Sequence, residues 1–99
     1  MRIISRKTLK EFWEKPEYRD AQSPLEAWFA EAQHAEWKNP TEIKQQHGNG
    51  SVIKDSRFVF NIAGNKYRLV VKIHYNTGVI FIRFVGTHAQ YDQIDVESI

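Results

Sequence analysis

Cysteine is absent from the 99-residue sequence, which excludes disulfide bonds and thiolate metal sites. Long apolar runs are absent as well, so no segment is suited to span a bilayer, and the stretch before the first predicted helix is too short for a signal peptide. We therefore expect a cytoplasmic protein. A chain of this length can enclose a modest core without metals or disulfides, which predicts one domain over residues 1–99.

Acidic residues are absent between Ser56 and Tyr91, although this stretch carries five basic residues. The first 55 residues hold nine basic and nine acidic residues, so the net charge of +2 comes entirely from the rest of the chain. A concentration of one sign of charge favours binding to a polyanion. The five basic residues are Arg57, Lys66, Arg68, Lys72 and Arg83.

Helical patterns occupy the first half of the chain. A short strand at residues 2–4 is followed by a predicted helix that Ser5 caps. A second helix is predicted to begin at Ser23, because the spacing of Ser23 and Glu26 matches a capping box. Its apolar positions recur at helical intervals and are predicted to cover one face of a sheet, with the three tryptophans in or beside the core. These positions are Leu25, Trp28, Phe29 and Ala32, and the other two tryptophans are Trp13 and Trp37.

Three runs rich in β-branched and aromatic residues predict strands at residues 57–62, 66–75 and 79–85, and a shorter strand is predicted near 52–54. A Gly64-Asn65 turn between the first two runs keeps apolar residues opposite each other on one face. On the other face this register places Arg57 opposite Lys72 and Asn61 opposite Arg68.

The hairpin at residues 76–78 is predicted to pair Ile73 with Ile82, which places Lys72 opposite Arg83 and makes Arg57, Lys72 and Arg83 a cationic row across three strands. The same register sets His74 opposite Phe81 and Thr87 opposite Arg68. Like charges directly opposite each other destabilise a sheet, so stability alone does not favour this row. The order of elements predicts an α+β fold, with N-terminal helices on one face of a twisted antiparallel sheet of about four strands, a short C-terminal helix, and one open sheet face.

A cluster of polar residues follows the last predicted strand. Thr87 and Gln90 have capping-box spacing, and helical geometry puts His88 and Tyr91 on neighbouring positions of one turn. In the predicted register, this turn emerges beside Arg68. The sequence therefore predicts that Arg68, His88 and Tyr91 meet at one end of the basic face.

This combination suits RNA cleavage in which a 2′-hydroxyl attacks the adjacent phosphorus. His88 is a candidate general base or acid, and Arg68 a candidate for binding the phosphate and stabilising transition-state charge. Tyr91 offers a hydroxyl hydrogen bond or a ring that stacks on a base. The predicted RNA-binding residues are Lys54, Arg57, Lys72, Arg83 and Asn61.

Each of these residues, taken singly, is more often structural or simply solvated. The convergence of five cations without a carboxylate, beside the His88 and Tyr91 pair, favours the functional interpretation. His47 is a weaker alternative proton carrier in a predicted flexible loop, and His34 and His74 are expected to be solvated. The four histidines lack metal-binding spacing, so we expect neither a metal nor another cofactor.

Two segments, residues 57–71 (RFVFNIAGNKYRLVV) and 86–92 (GTHAQYD), resemble the HigB toxins of type II toxin–antitoxin systems, and the resemblance covers nearly the whole chain. It implies the compact fold of the RelE-like superfamily. It also implies an endonuclease that cleaves mRNA in the ribosomal A site and is neutralised by a helix-turn-helix antitoxin, HigA, through which operator DNA is bound indirectly.

The resemblance makes Arg68 the phosphate-contacting arginine of the superfamily and matches Gly86 to the glycine after its last strand. Two residues after that glycine, RelE has an arginine where this chain has His88. Tyr91 lies close to the position of the RelE terminal tyrosine. The two lysines that RelE has on the preceding strand correspond approximately to Val59 and Asn61, so their roles are absent or moved, with Lys72 or Arg57 as candidates.

The leading hypothesis is a metal-independent, ribosome-dependent mRNA endonuclease that inhibits translation. A second hypothesis is a non-catalytic RNA- or ribosome-binding module that uses the same basic face to block the A site. A third is a protein-interaction domain whose basic face docks an acidic partner. Substitution of Arg68 and His88 discriminates the first two, because an enzyme loses cutting much more than binding.

Overall fold

A computed structural model describes residues 1–54 and 56–99. The described residues form five strands and four α-helices, with a 3₁₀ helix between the first two α-helices. After the first strand come the first three α-helices, then the other four strands, and last the fourth α-helix. The strands are β1 (Arg2–Ile4), β2 (Ser51–Ile53), β3 (Arg57–Ile62), β4 (Tyr67–His74) and β5 (Val79–Thr87). The helices are α1 (Arg6–Trp13), the 3₁₀ helix (Pro16–Ala21), α2 (Gln22–His34), α3 (Pro40–Gln46) and α4 (His88–Tyr91).

The strands form one mixed sheet in the order β1-β5-β4-β3-β2. β1 runs parallel to β5, and the other neighbours are antiparallel. The α+β class, the helices on one face and the short C-terminal helix are as predicted, with one strand more than the expected four. Both edge strands have three residues, and short edges offer little backbone for unwanted strand pairing.

The core lies between the helices and one face of the sheet. The apolar residues of α1 and α2 pack against alternate residues of β3 and β4, as the period-2 pattern of the strands requires. Trp13, Trp28 and Trp37 are all buried, so the prediction that the tryptophans belong to the core is confirmed. The sheet residues that face the helices are Phe58, Phe60, Ile62, Tyr67, Leu69, Val71, Ile73 and Ile80.

The start of α2 differs from the prediction. The 3₁₀ helix runs directly into α2, whose N-cap is Ala21, and Ser23 lies inside the helix. The capping box predicted at Ser23 is therefore wrong. The helical conformation had already begun in the preceding turn, so the backbone donors that Ser23 would cap belong to a continuing helix.

The outer face of the sheet, which is the side away from the helices, is less open than predicted. Val59 and Val70 pair across β3 and β4 on this face, yet they are only 4% and 0% exposed. The backbone oxygen of Ile99 lies nearby and accepts hydrogen bonds from Nε of Arg57 at 2.8 Å and from Nη2 at 2.6 Å. The C-terminal residues thus cover the part of the outer face beside Arg57, which is itself 7% exposed.

The register between β3 and β4 is confirmed, with Arg57 opposite Lys72 and Asn61 opposite Arg68. The predicted register between β4 and β5 is wrong: Ile73 pairs with Ile80, and Lys72 pairs with Phe81. A slip of two residues keeps every side chain on its face, so the apolar pattern alone does not distinguish the two registers. The cationic row therefore ends at Lys72.

A β-bulge changes the register again between Val70 and Val71. Val71 pairs with Ile82 and Val70 with Phe84, which leaves Arg83 as the extra residue of β5. Beyond the bulge Arg68 pairs with Gly86, and Thr87 pairs with Tyr67. The prediction that Thr87 lies opposite Arg68 is wrong by one residue, because no sequence signal marked the bulge.

Candidate active site

Arg68 lies on the outer face of the sheet, between Asn61 of β3 and Gly86 of β5. Its Nη1 donates a long hydrogen bond of 3.4 Å to the backbone oxygen of Asn65. Its guanidinium lies over the ring of Tyr91, with 5.9 Å between Cζ and the ring centroid. None of the ion pairs among residues 1–54 and 56–99 involves Arg68. A half-buried guanidinium without a carboxylate is suited to bind an anion.

Helix α4, which carries Tyr91, is fixed by the predicted capping box. The hydroxyl of Thr87 accepts from the Gln90 backbone N–H at 3.1 Å, and the side-chain oxygen of Gln90 accepts from the Thr87 N–H at 2.9 Å. Gln90 Nε2 also donates to the Tyr18 hydroxyl at 3.1 Å, which ties α4 to the 3₁₀ helix. Four residues are too few for a stable isolated helix, so these contacts set the position of α4.

Gly86 permits the close approach of α4 to β5. A Cβ at this position would lie 2.6 Å from Gln90 Oε1 and 2.6 Å from Cζ of Phe84. A Cβ at this position would therefore force both side chains to move, and movement of Oε1 would break the capping hydrogen bond to the Thr87 N–H. The glycine thus preserves the capping box, and it lies directly across from Arg68.

His88 is the first residue of α4, and its side chain is about half exposed. Its Nδ1 lies 3.2 Å from Oδ2 of Asp92, one helical turn later. The sequence prediction placed His88 beside Tyr91 but overlooked Asp92, although the spacing of four residues on a predicted helix was a usable signal. The structure thus brings Arg68 and Tyr91 into contact and joins His88 to a carboxylate.

The other predicted RNA-binding residues differ in their exposure. Arg83 is exposed at the bulge, and Lys54 is exposed in the turn after β2. Lys72 is half-buried on the outer face. Asn61 is half-buried and donates through Nδ2 to the backbone oxygen of Asn49 at 2.7 Å. Arg57 is engaged with Ile99, so it meets an incoming ligand only if the C-terminal residues move away.

Lys66 belongs to a separate cluster on the other side of the β3–β4 turn. Its ammonium and the Tyr67 hydroxyl both donate to the carboxylate of Asp20, and these hydrogen bonds lower the pKa of Asp20 below its ordinary 3.8. Burial, followed by the hydrogen bond to Asp20, raises the pKa of Tyr67. Lys66 therefore serves to anchor the 3₁₀ helix to the sheet, and the free cationic surface is smaller than the sequence indicated.

The sequence matches the HigB toxin family, described as the RelE-like toxic component of a toxin–antitoxin system, over residues 21–94. The chain belongs to this family. It is 31% identical over 94 residues to the mRNA interferase toxin HigB of Escherichia coli (strain K12), covering 93% of this chain and 88% of the relative. The mRNA interferases HigB of Escherichia coli O157:H7 and of Shigella flexneri match with the same identity and coverage.

Membership of the HigB toxin family implies an antitoxin partner, since the family is one component of a two-component system. It confirms the resemblance seen in residues 57–71 and 86–92, because both segments lie wholly within the matched range of residues 21–94. The matched range includes Arg68, His88, Tyr91 and Asp92. The candidate site therefore lies in the part of the chain that matches the family.

The site of this HigB family member is an open surface. A groove of about 580 Å³ runs along the other flank of α4 and is lined by Phe12, Tyr18, Phe84 and Ile94 among others, but not by Arg68, His88 or Tyr91. An open cationic surface suits an extended polymer better than a small molecule enclosed in a cavity.

The remaining histidines of the HigB family member lie apart from α4. His47 is half-buried, its Nε2 contacts the Glu31 carboxylate, and its ring packs edge-on against Phe60 with centroids 4.9 Å apart. His34 and His74 are exposed, as predicted. In the part of the chain that the structure describes, no three His, Asp or Glu residues are placed to hold a metal ion, and no helix is long and apolar enough to cross a membrane.

Proposed function

We propose that this protein is an mRNA interferase that cleaves message in the ribosomal A site and thereby inhibits translation. Family membership and the names of the three relatives support the activity. The single observation that carries the proposal is the contact of Arg68, which takes part in none of the ion pairs among the described residues, with Tyr91, on the same short helix as His88. These groups match the needs of phosphodiester cleavage.

The proposed reaction is an internal transesterification. The 2′-oxygen loses its proton to a base and forms a bond to the adjacent phosphorus, and the bond from phosphorus to the 5′-oxygen breaks. The products are a 2′,3′-cyclic phosphate and a 5′-hydroxyl, which takes one proton. The nucleophile is part of the substrate, so the proposed chemistry is metal-independent and requires mainly proton transfer and charge stabilisation from the protein.

Arg68 supplies the charge stabilisation. Its guanidinium presents several N–H donors in one plane, so it binds two phosphate oxygens at once. As the 2′-oxygen adds to phosphorus, negative charge grows on those oxygens, and the hydrogen bonds become stronger in the transition state than in the ground state. Tyr91 supports this role because its ring holds the guanidinium from one side.

His88 moves the proton. Its ring is half exposed on the first turn of α4, where an RNA strand on the outer face can reach it. A correctly placed proton carrier contributes about 10²–10⁴-fold to the rate. His88 takes the position at which the resemblance to RelE has an arginine, so this protein carries an imidazole, which can accept or donate a proton, where RelE has a guanidinium.

The RNA backbone is proposed to follow the exposed cations beside Arg68. Lys72, Arg83 and Lys54 offer phosphate contacts, and Asn61 offers an amide next to Arg68. While Arg57 is hydrogen-bonded to Ile99, it is buried and contributes only positive potential. Once Ile99 is displaced, Arg57 contacts the RNA directly. Binding is therefore expected to weaken as salt rises.

The proposed setting is the cytoplasm, where ribosomes are found, and the proposed partner is a HigA-like helix-turn-helix antitoxin. The family implies an antitoxin, and the basic surface offers charge that an acidic antitoxin segment can neutralise. Contact with operator DNA is proposed to occur through the antitoxin alone.

Purified protein added to translating ribosomes tests the activity, with the mRNA ends mapped by primer extension. Cuts at fixed positions within the A-site codon support the proposal, whereas normal ribosome binding without cuts refutes the enzymatic role and leaves the non-catalytic blocking module. Arg68→Ala and His88→Ala should lose cutting by at least about 10²-fold while still binding ribosomes.

Matched controls are available on the helical side of the molecule. His34 and Arg19 are both exposed and lie on α2 and the 3₁₀ helix, away from the outer face. His34→Ala and Arg19→Ala should cut at the wild-type rate. A protein that only docks an acidic partner would instead show salt-sensitive antitoxin binding and no binding to ribosomes.

A further inference from the structure

Asp92 is the one acidic side chain in contact with the proposed catalytic groups, among the residues that the structure describes. It follows α4 directly, at the helix C-cap, and its Oδ2 lies 3.2 Å from Nδ1 of His88. The backbone N–H of Asp92 donates to the backbone oxygen of His88 at 3.0 Å. Main chain and side chain therefore connect the same two residues, and the carboxylate is held at a fixed place relative to the imidazole.

The contact determines which ring nitrogen carries the proton. An ionised carboxylate only accepts hydrogen bonds, so the Nδ1 of His88 must donate to it. In a neutral imidazole with the proton on Nδ1, the other nitrogen, Nε2, has a free lone pair. The Asp92 carboxylate thus selects the tautomer whose Nε2 can take a proton from substrate.

The same contact restricts the ring. A half-exposed histidine without a partner samples several rotamers and both tautomers, and only some of these place Nε2 toward a bound strand. When Nε2 accepts the 2′-hydroxyl proton, the ring becomes a cation, and the adjacent carboxylate stabilises that charge. Both effects act on the chemical step and leave RNA binding unchanged.

Stability offers a weaker explanation for the pair. The side chains of His88 and Asp92 are 50% and 61% exposed, and exposed ion pairs four residues apart on a helix contribute little to folding. Helix α4 is already fixed by the Thr87 and Gln90 capping box and by the bond from Gln90 to Tyr18. The carboxylate is therefore not needed to hold the helix.

We propose that Asp92 is a positioning residue that orients His88 as the general base, with Nδ1–H donated to Asp92 and Nε2 directed to the substrate 2′-hydroxyl. This inference rests on the proposed mRNA cleavage. In the step, the 2′-hydroxyl proton passes to Nε2, the 2′-oxygen bonds to phosphorus, and the bond to the 5′-oxygen breaks. The 5′-oxygen takes a proton from water, and His88 later returns its proton to solvent.

A double-mutant cycle on translating ribosomes tests the proposal. Asp92→Ala should lower the cleavage rate at saturating protein by roughly 10-fold or more, and His88→Ala by about 10²-fold or more, with unchanged ribosome affinity in both. Because Asp92 acts through His88, the double variant should cut no more slowly than His88→Ala alone. Such non-additivity is expected only of residues that work as a unit.

Three results would overturn the proposal. One is a wild-type cleavage rate for Asp92→Ala together with no cleavage by His88→Ala. This result would leave the proposed function intact. Another is additive losses in the double variant, which assigns Asp92 a role of its own. The third is normal cutting by His88→Ala, since Asp92 then has no base to orient. Absence of cutting by the wild type refutes the proposed function itself and the inference with it.

A control variant tests whether the loss of a carboxylate affects folding. Glu11→Ala removes the carboxylate of another exposed pair at the same spacing, with Lys7 on α1, and should leave both cutting and the thermal unfolding midpoint unchanged. Asp92→Ala should have the same midpoint as Glu11→Ala. If Asp92→Ala proves unfolded, Asp92→Asn preserves the shape of the side chain and enters the same cycle, with the same non-additivity expected.

Discussion

The guanidinium of Arg68 lies over the ring of Tyr91, 5.9 Å from its centroid, and this contact joins the central strand of the outer face to α4. An exposed cation–π contact contributes roughly 0.5–1 kcal/mol. Tyr91→Ala should therefore lower cleavage about two- to fivefold through a less ordered Arg68. Tyr91→Phe keeps the ring and should cut at nearly the wild-type rate. An equal loss in both variants would show that the hydroxyl is required.

Gly86→Ala should displace α4 and abolish most of the activity. The new Cβ would lie 2.6 Å from Gln90 Oε1, which breaks the capping box and moves His88 away from the strand. A displacement of about 1 Å at a catalytic group costs about 10²-fold in rate. Cleavage on translating ribosomes measures the loss. Gly48→Ala is the control, because its Cβ would approach no described atom closer than 3.8 Å; equal activity in the two variants would contradict the packing argument.

Alanine variants of Arg57 and Arg83 should show that the first residue contributes to stability and the second to RNA binding. Arg57→Ala removes a buried guanidinium that donates two hydrogen bonds to Ile99, so it should cost about 1–3 kcal/mol in the free energy of unfolding. Arg83→Ala removes an exposed side chain and should change that free energy by less than about 0.5 kcal/mol. Urea unfolding measures both.

Of these two variants, Arg83→Ala is the one expected to change the salt dependence of RNA affinity. Loss of the Arg83 phosphate contact should reduce the slope of log K against log salt by roughly 0.7. A fluorescence titration of single-stranded RNA at several salt concentrations measures the slope. An unchanged slope in Arg83→Ala would remove this residue from the proposed RNA path.

The Asp20 cluster predicts a pH-dependent contribution to stability. Hydrogen bonds from Lys66 and Tyr67 lower the pKa of Asp20 in the folded state below 3.8, so its ionised form stabilises the fold above that pH. This contribution is lost as the pH falls through the lowered pKa. Asp20→Asn should be less stable than wild type at pH 7, and the difference should shrink below pH 3.8.

Urea unfolding midpoints at neutral and acidic pH test this prediction. Glu17→Gln is the matched control on the same 3₁₀ helix, since Glu17 takes part in none of the ion pairs among the described residues. It should follow the wild type at every pH. A difference between Asp20→Asn and wild type that stays constant down to strongly acidic pH would show that the side-chain charge is not involved.

The sequence predicted the parts of the fold that depend on local pattern. The alternation of Phe58, Phe60 and Ile62 with polar or outer-face residues set the β3–β4 register, because a slip of one residue would expose all three. The β4–β5 register was not determined in this way, since Ile73 finds an isoleucine at either position 80 or 82. The loop after His74 decides between them: the Gly78 N–H donates to the His74 oxygen at 2.9 Å, and Gly78 has a φ of 71°.

The contacts of the candidate site were predicted only in part. Arg68 and Tyr91 meet as expected, whereas the cationic row through Arg83 does not form. Long-range contacts such as that of Arg57 with Ile99 leave no periodic trace in the sequence. The pairing of His88 with Asp92 was visible as helical spacing, yet its significance depends on the distance that the structure supplies.

The extra residue at Arg83 divides β5 into two parts, because the hairpin end pairs with β4 in one register and the end that leads into α4 pairs in another. Deletion of Arg83 would join the two registers into one regular ladder, with Ile82 still opposite Val71 and Gly86 still opposite Arg68. Helix α4 would therefore keep its place beside Arg68, and the strand would lose only an exposed cation. A three-nucleotide deletion at this codon is thus expected to yield a folded protein in which Arg68, His88 and Tyr91 keep their places.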